Sequence, residues 1–188
     1  MGEPMAMEVL ELDQPREGEV RIRMAASGVC RSCLSTYDGT HTRTPKPVVL
    51  GDEGAGVIDA VGPGCRASVG DHVVVSWAPG CGRCRWCHGG RPVLCLNKAG
   101  PGVLTDGTTR FHQLDGTPVY HYGPSTYAPY IVVPERAAIP ITKSVPLDVA
   151  ALIGCSVATG VGGVINAARV RPGESVGVVG CGGIGLNA

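Results

Sequence analysis

At 188 residues with 16 basic and 16 acidic side chains, the chain carries no charge excess that would hold a nucleic acid or an anionic membrane. Its 29 glycines and 15 prolines exclude a helical bundle and favour short strands joined by turns. Nine cysteines without a leading segment of signal-peptide character fit a reducing, cytoplasmic setting and metal ligation.

In chain order, EVRIRM at 19–24 alternates as a half-buried strand does, and residues 25–30 extend it to a break at Gly28. PKPVVL at 45–50 leads into GDEGAG, followed by a strand over 57–61 and a turn at 62–64. GDHVVVS at 70–76 reads as a turn and another strand. The first eighty residues therefore predict a small antiparallel barrel with glycines at its corners.

Cys81, Cys84, Cys87 and Cys95 follow, at C-x2-C-x2-C-x7-C spacing. That spacing lets four thiolates surround one tetrahedral ion at ~2.3 Å, a closed structural site without an open position for chemistry. Two disulfides or a pair of redox thiols are the alternatives. Residues 100–116 are polar and Gly-rich, which predicts an excursion over the surface, and 127–133 return as a strand.

From Leu147 small apolar residues recur at helical spacing as far as Arg169, where Pro172 and Gly173 stop them. The uncharged run 149–168 is of bilayer-spanning length, yet its glycines, its polar residues and its lack of interfacial aromatics predict burial between two domains rather than a membrane span. SVGVVG at 175–180 reads as a short apolar strand. Gly180, Gly182 and Gly185 then form G-x-G-x-x-G, the phosphate-cradling turn of a dinucleotide fold when it lies between strand and helix. A plain glycine turn is the alternative.

Together these motifs resemble the zinc-dependent medium-chain alcohol dehydrogenase family, in its class III-like and bacterial aryl or primary alcohol branch. The resemblance rests on GVCRS at 28–32, GDEGAGVIDAVGPG at 51–64, GDHVV at 70–74 and the four-cysteine lobe. It continues through GCSVATG at 154–160 and VRPGESVGVVGCGGIG at 170–185. It implies a mainly β, chaperonin-10-like (GroES-like) catalytic domain over 1–150, with the structural-zinc lobe at about 79–97. Residues 151–188 would supply a connecting helix and the first strand and turn of an incomplete, α/β Rossmann domain.

The resemblance further implies two zinc ions per intact chain and NAD, with NADP an alternative. Cys30 and Cys155 would be thiolate ligands of a catalytic zinc, and Glu53 a carboxylate able to approach it. Ser32 would pass the substrate proton, Arg31 would face the cofactor pyrophosphate, and Trp77 and Tyr127 would line the pocket for an alcohol or aldehyde. Taken without its context, Cys155 reads equally as a buried structural thiol. Cys65 and Cys181 are expected to be packing residues, and His72, His88, His112 and His121 polar groups rather than ligands.

Three positions depart from the family pattern: Asp52 stands where a histidine is usual, Cys33 where an aspartate is usual, and Ser35 where many members carry a relay histidine. Asp52 can itself ligate zinc, but a third anionic ligand lowers the ion's Lewis acidity. The expectation is a zinc-dependent oxidoreductase, homo-oligomeric at full length and inactive as the 188-residue chain alone. A non-catalytic module that keeps only the structural zinc is the alternative.

Overall fold

The computed structural model describes residues 4–188. Among them run nine strands: β1 (Glu11–Leu12), β2 (Glu19–Ser27), β3 (Val48–Val49), β4 (Gly54–Val61), β5 (His72–Val75), β6 (Phe111–His112), β7 (Pro118–His121), β8 (Tyr130–Pro134) and β9 (Ala138–Pro140). They form a five-stranded sheet of order β8-β2-β4-β5-β9 and a four-stranded sheet of order β1-β6-β7-β3. All pairings are antiparallel except β3 with β7.

Strand alternation explains how the sheets meet. In β2, Val20 and Ile22 are fully buried while Arg21 and Arg23 point away, and Arg21 there forms an ion pair with Asp59 on β4 at 3.0 Å. Val73 and Val75 of β5, Ile131 and Val133 of β8, and Phe111 and Val119 from the smaller sheet close on the same core. Burying each such side chain is worth about 1.5–3 kcal/mol relative to exposure. Val74 faces the other way, onto Ala55, Ala150 and Ala151. The larger sheet is thus covered on one side by the smaller sheet and on the other by the first helical segment after residue 146.

The first eighty residues do not make the barrel alone. Strands β6 to β9 complete both sheets, and β2 pairs with β8 across more than a hundred residues, a pairing that local patterning does not reveal. The stretch 100–116 is not a surface excursion either: Leu104, Thr109, Arg110 and Phe111 are buried in it. Arg110 is fully buried, and its charge is met inside the fold. Nε and Nη2 donate to the Glu19 carboxylate, Nη2 also to Asp106, and Nη1 to Thr108 Oγ1 and the Thr109 carbonyl. Arg16 reaches the same Asp106 and Thr108 from outside.

Five short helices accompany the strands: α1 (Arg31–Tyr37) between β2 and β3, α2 (Arg85–His88) between β5 and β6, and α3 (Leu147–Ala150), α4 (Ser156–Gly162) and α5 (Gly183–Leu186) after β9. The helix expected over 147–169 is broken. After α3 a 3-10 turn, Ala151–Gly154, runs to Cys155, whose backbone (φ −133°, ψ −71°) is not helical, and α4 starts anew. A π turn, Gly163–Ala168, then ends on Arg169 in the left-handed region. No single helix among the described residues is long and apolar enough to cross a membrane, and the two halves of this run bend by 51°. Ala150 and Ala151 are buried, whereas Val149, Leu152, Ile153, Val161 and Ile165 face outward. The strand expected at 175–180 has no ladder partner among the described residues and carries no assigned secondary structure. The strand expected at 127–133 begins only at Tyr130, after a turn with Ser125 at φ 63°.

Breaking the buried pair by Arg110→Met strands the Glu19 carboxylate, so urea unfolding should show a loss of about 3–5 kcal/mol. His121 gives a second test. Its Nε2 accepts from the Arg110 backbone N–H and its Nδ1 meets Ser125 Oγ, and burial, aided by the Arg110 charge, lowers it from 6.5 to about 4. A depressed imidazole contributes stability that is full above the unfolded value and drains as pH falls from 6.5 toward 4, on the order of 3 kcal/mol in all. His121→Asn should flatten that part of the stability–pH curve relative to the parent chain.

Candidate functional site

Three separate pieces of chain meet at one end of the larger sheet. Cys30 caps α1 with an extended backbone (φ −88°, ψ 144°), so its side chain and that of Ser32 project from the helix's first turn. Asp52 and Glu53 lie between β3 and β4, behind Gly51 at φ 108°, where an added Cβ would strike Thr126. The strand edge holds them: Ser27 Oγ and Thr126 Oγ1 both donate to the Glu53 carbonyl, at 2.9 and 3.0 Å. Cys155 arrives from the far side, at the break between the 3-10 turn and α4, because Ala150 and Ala151 pin the preceding turn under the sheet.

The Sγ atoms of Cys30 and Cys155 stand 3.8 Å apart although 125 residues separate them. With an Asp52 oxygen they form a group whose ligand atoms all lie within 4.8 Å of one another. Tetrahedral placement on bonds of ~2.3 Å puts two sulfurs roughly 3.8 Å apart, so this spacing fits a shared ion. Ser32 Oγ donates to Asp52 Oδ2 at 2.7 Å and lies 3.1 Å from Cys30 Sγ. Cys33 Sγ approaches the other oxygen, Oδ1, at 3.7 Å but stands outside the three-ligand group.

The charges are one-sided. Asp52 and Glu53 are buried, and no lysine, arginine or histidine among the described residues pairs with either. Burial first, then the charges of Asp52 and Cys30, push the Cys155 thiol up to about 12; burial and Asp52 push Cys33 to about 11. Glu53 is also raised by burial, partly offset by the Ser156 N–H that donates to its Oε2 at 3.2 Å. Glu53 therefore packs against Gly28 and the start of α4 rather than joining the three-ligand group. Two half-buried thiols and a buried carboxylate with no paired cation among the described residues fit a divalent metal.

The second group, Cys81, Cys84, Cys87 and Cys95, gathers around α2 and the turn Pro92–Leu94, again with all sulfurs within 4.8 Å. Cys84 lies 3.6 Å from Cys87 and 4.0 Å from Cys95, and all four are free thiols, which disposes of the disulfide alternative. Backbone N–H groups point at the sulfurs, from Cys81 and Asn97 to Cys95, and the Arg83 N–H above all draws Cys81 down to about 6. Desolvation and the neighbouring thiols push Cys87 up to about 11. One cation at the centre relieves that competition for negative charge.

A cavity of about 480 Å³ opens over the first group, with Cys30, Ser32, Asp52 and Cys155 at its floor and Trp77 in its wall. Tyr127 is not in the wall; it sits beside Cys33. Arg31 is exposed and does not line the cavity. His41 and Tyr122 do line it, their rings edge to face at 6.1 Å. His41 belongs to no motif; Tyr122 lies within PVYHYGPSTYAPYIVVPE at 118–135, a stretch shared with the resembled family, but nothing in the sequence singles either out as a wall residue. Among the glycines, Gly180 has φ 103°, a Cβ on Gly185 would collide with the Gly180 carbonyl, and a Cβ on Gly182 would meet open space. That pattern fits a turn that admits a phosphate against its backbone, and Gly183 packs it on Ser156 at the head of α4.

The alcohol dehydrogenase GroES-like domain family matches residues 16–143. The S-(hydroxymethyl)glutathione dehydrogenase of Paracoccus denitrificans is 41% identical over 191 residues, covering 99% of this chain and 51% of the relative. Among solved structures, an alcohol dehydrogenase zinc-binding domain protein from Burkholderia ambifaria superposes with TM-score 0.91 at 36% identity, over 99% of this chain and 51% of that one. Benzyl alcohol dehydrogenase from Acinetobacter calcoaceticus gives 0.84 at 34%, over 95% and 49%. The chain thus spans about half the length of the relatives it matches.

Thiol reactivity checks the two groups. With zinc bound, the exposed Cys181 should be the fast-reacting thiol toward a disulfide reagent. A strong chelator should then expose Cys30, Cys155 and the four lobe cysteines, six further thiols. Release of only the lobe thiols would mean that Cys30 and Cys155 hold no metal.

Proposed function

The chain belongs to the alcohol dehydrogenase GroES-like domain family, and on that premise we propose that it is the catalytic domain of a zinc-dependent alcohol dehydrogenase working with a nicotinamide cofactor. The observation that carries this reading is the meeting of Cys30 and Cys155 at 3.8 Å beside a buried, hydrogen-bonded Asp52. A structural site alone would not need thiols from two remote segments at the floor of a cavity.

Roles follow from the geometry. Cys30, Asp52 and Cys155 would hold a zinc ion that supplies Lewis acidity toward an alcohol oxygen, and a nicotinamide cofactor would supply the hydride-accepting chemistry. Ser32 directs its own proton to Asp52 Oδ2, which leaves the Oγ lone pairs free to accept the substrate's hydroxyl proton. Ser35 offers no relay here; its carbonyl accepts from His41 N–H and Thr40 Oγ1. Glu53, fixed by the Ser156 N–H, ties the head of α4 to the ligand segment and so holds Cys155 at its station. Cys81, Cys84, Cys87 and Cys95 form a closed thiolate set that keeps residues 79–97 folded without taking part in chemistry. The turn at Gly180, Gly182 and Gly185 would carry the cofactor pyrophosphate, and residues 151–188 would begin the domain that binds it. Arg31, exposed beside Cys30, would approach the same phosphates once the cofactor is bound.

Metal counting tests this against a module that keeps only the lobe zinc. The chain purified in excess zinc and dialysed should hold two equivalents. Cys30→Ala or Cys155→Ala should each leave one, and Cys84→Ala should lose the other. Ser32→Ala removes the partner that orients Asp52, so affinity for the second zinc should fall about 10–100-fold with the lobe unaffected. A single equivalent that survives replacement of both Cys30 and Cys155 would establish the non-catalytic alternative.

A further inference from the structure

The walls of the cavity say which kind of alcohol it admits. Above the thiol and carboxylate floor they are made by Trp77, Pro79, Pro101, Val103, Leu104 and Tyr122. Trp77 is half exposed and borders the cavity, offering it a large aromatic surface. Such a face is where an apolar or aromatic ligand gains the most from burial and ring stacking. Among the described residues Lys98 is the sole lysine or arginine in the wall, opposite the Asp52 carboxylate of the floor.

His121, one of the two histidines in the wall, adds no positive charge. His121 has both ring nitrogens engaged and is held neutral by burial. For His41 the hydrogen bonds place a proton on Nδ1: Thr36 Oγ1 gives its own proton to the Ser32 carbonyl at 3.1 Å, so at 3.3 Å from His41 Nδ1 it receives the ring N–H.

A carboxylate brought here would face an acidic floor, apolar walls and one ammonium. Each one left unpaired would forfeit its hydration without return. We infer that the cavity selects neutral alcohols with an aromatic or branched apolar body and rejects carboxylate-bearing thiol adducts, the substrate type for which the Paracoccus relative is named. This rests on the reading of the cavity as the alcohol site.

The test uses the zinc-loaded 188-residue chain, with the Trp77 indole N–H followed by NMR during titration with benzyl alcohol and, separately, S-methylglutathione. Benzyl alcohol should move the Trp77 signal and bind at least about tenfold more tightly than S-methylglutathione. Trp77→Ala should weaken it at least about fivefold with metal content unchanged, as followed by the signals of other wall residues. Equal or tighter binding of S-methylglutathione, or no response to either ligand, would overturn the inference. Metal content separates the two ideas: two zinc ions with no ligand response sinks the selectivity and leaves the metal reading. One zinc with selective benzyl alcohol binding does the reverse.

Discussion

Two sulfurs 125 residues apart in sequence come within 3.8 Å of each other, and most of what surrounds them serves that approach. Cys30 is fixed because the long strand β2 ends at Ser27, whose hydroxyl grips the Glu53 carbonyl, and the chain then turns into α1. Cys155 is fixed because two alanines beneath Val74 leave no room for a larger side chain and deliver the 3-10 turn to the sheet edge. The break in helicity at Cys155 is what aims its side chain at Cys30 rather than along the helix face. Without a cation this floor would concentrate thiols, Asp52 and Glu53 in a buried place with no compensating charge, a costly arrangement that binding of a divalent ion turns into a favourable one.

The buried Arg110 plays the corresponding part for the wall. Its guanidinium joins Glu19 at the start of β2 to Asp106 and Thr108, and Leu104, inside the same tight turn, lines the cavity. The backbone N–H of Arg110 also orients His121, a second wall residue. One arginine, through two ion pairs, therefore ties the core of the larger sheet to the shape of the space above the ligands. A charge so deeply placed is destabilising when its partner is removed, which makes it a rigid fixture rather than a source of large net stability.

What could be read from the sequence was what short-range pattern encodes. The alternation in β2, the cysteine spacing of the lobe and the glycine turn at 180–185 are local, and the resemblance they support led to the mainly β, GroES-like fold that the family match bears out. Long-range consequences were hidden. Nothing local to 130–134 says that it pairs with 19–23, and nothing in a polar stretch announces that Arg110 is its most buried member. The helix expected after Leu147 looked continuous because small apolar residues satisfy helical spacing whether or not the backbone is interrupted. At the site, the family resemblance singled out Cys30 and Cys155 but not His41 and Tyr122, whose role depends on where loops cross in space. The resemblance placed Tyr127 in the cavity wall, whereas it lies behind Cys33. The unusual Asp52 was visible as a letter; its two hydrogen-bonding neighbours, Ser32 and Cys33, emerge only from the fold.

The most direct test of the central claim is an anomalous-difference map at the zinc edge from crystals of the zinc-loaded chain. The account predicts a peak inside the four-cysteine lobe and a second one about 2.3 Å from the sulfurs of both Cys30 and Cys155, with an Asp52 oxygen in its shell. A lobe peak alone, with nothing between Cys30 and Cys155 in a fully zinc-saturated crystal, would contradict it.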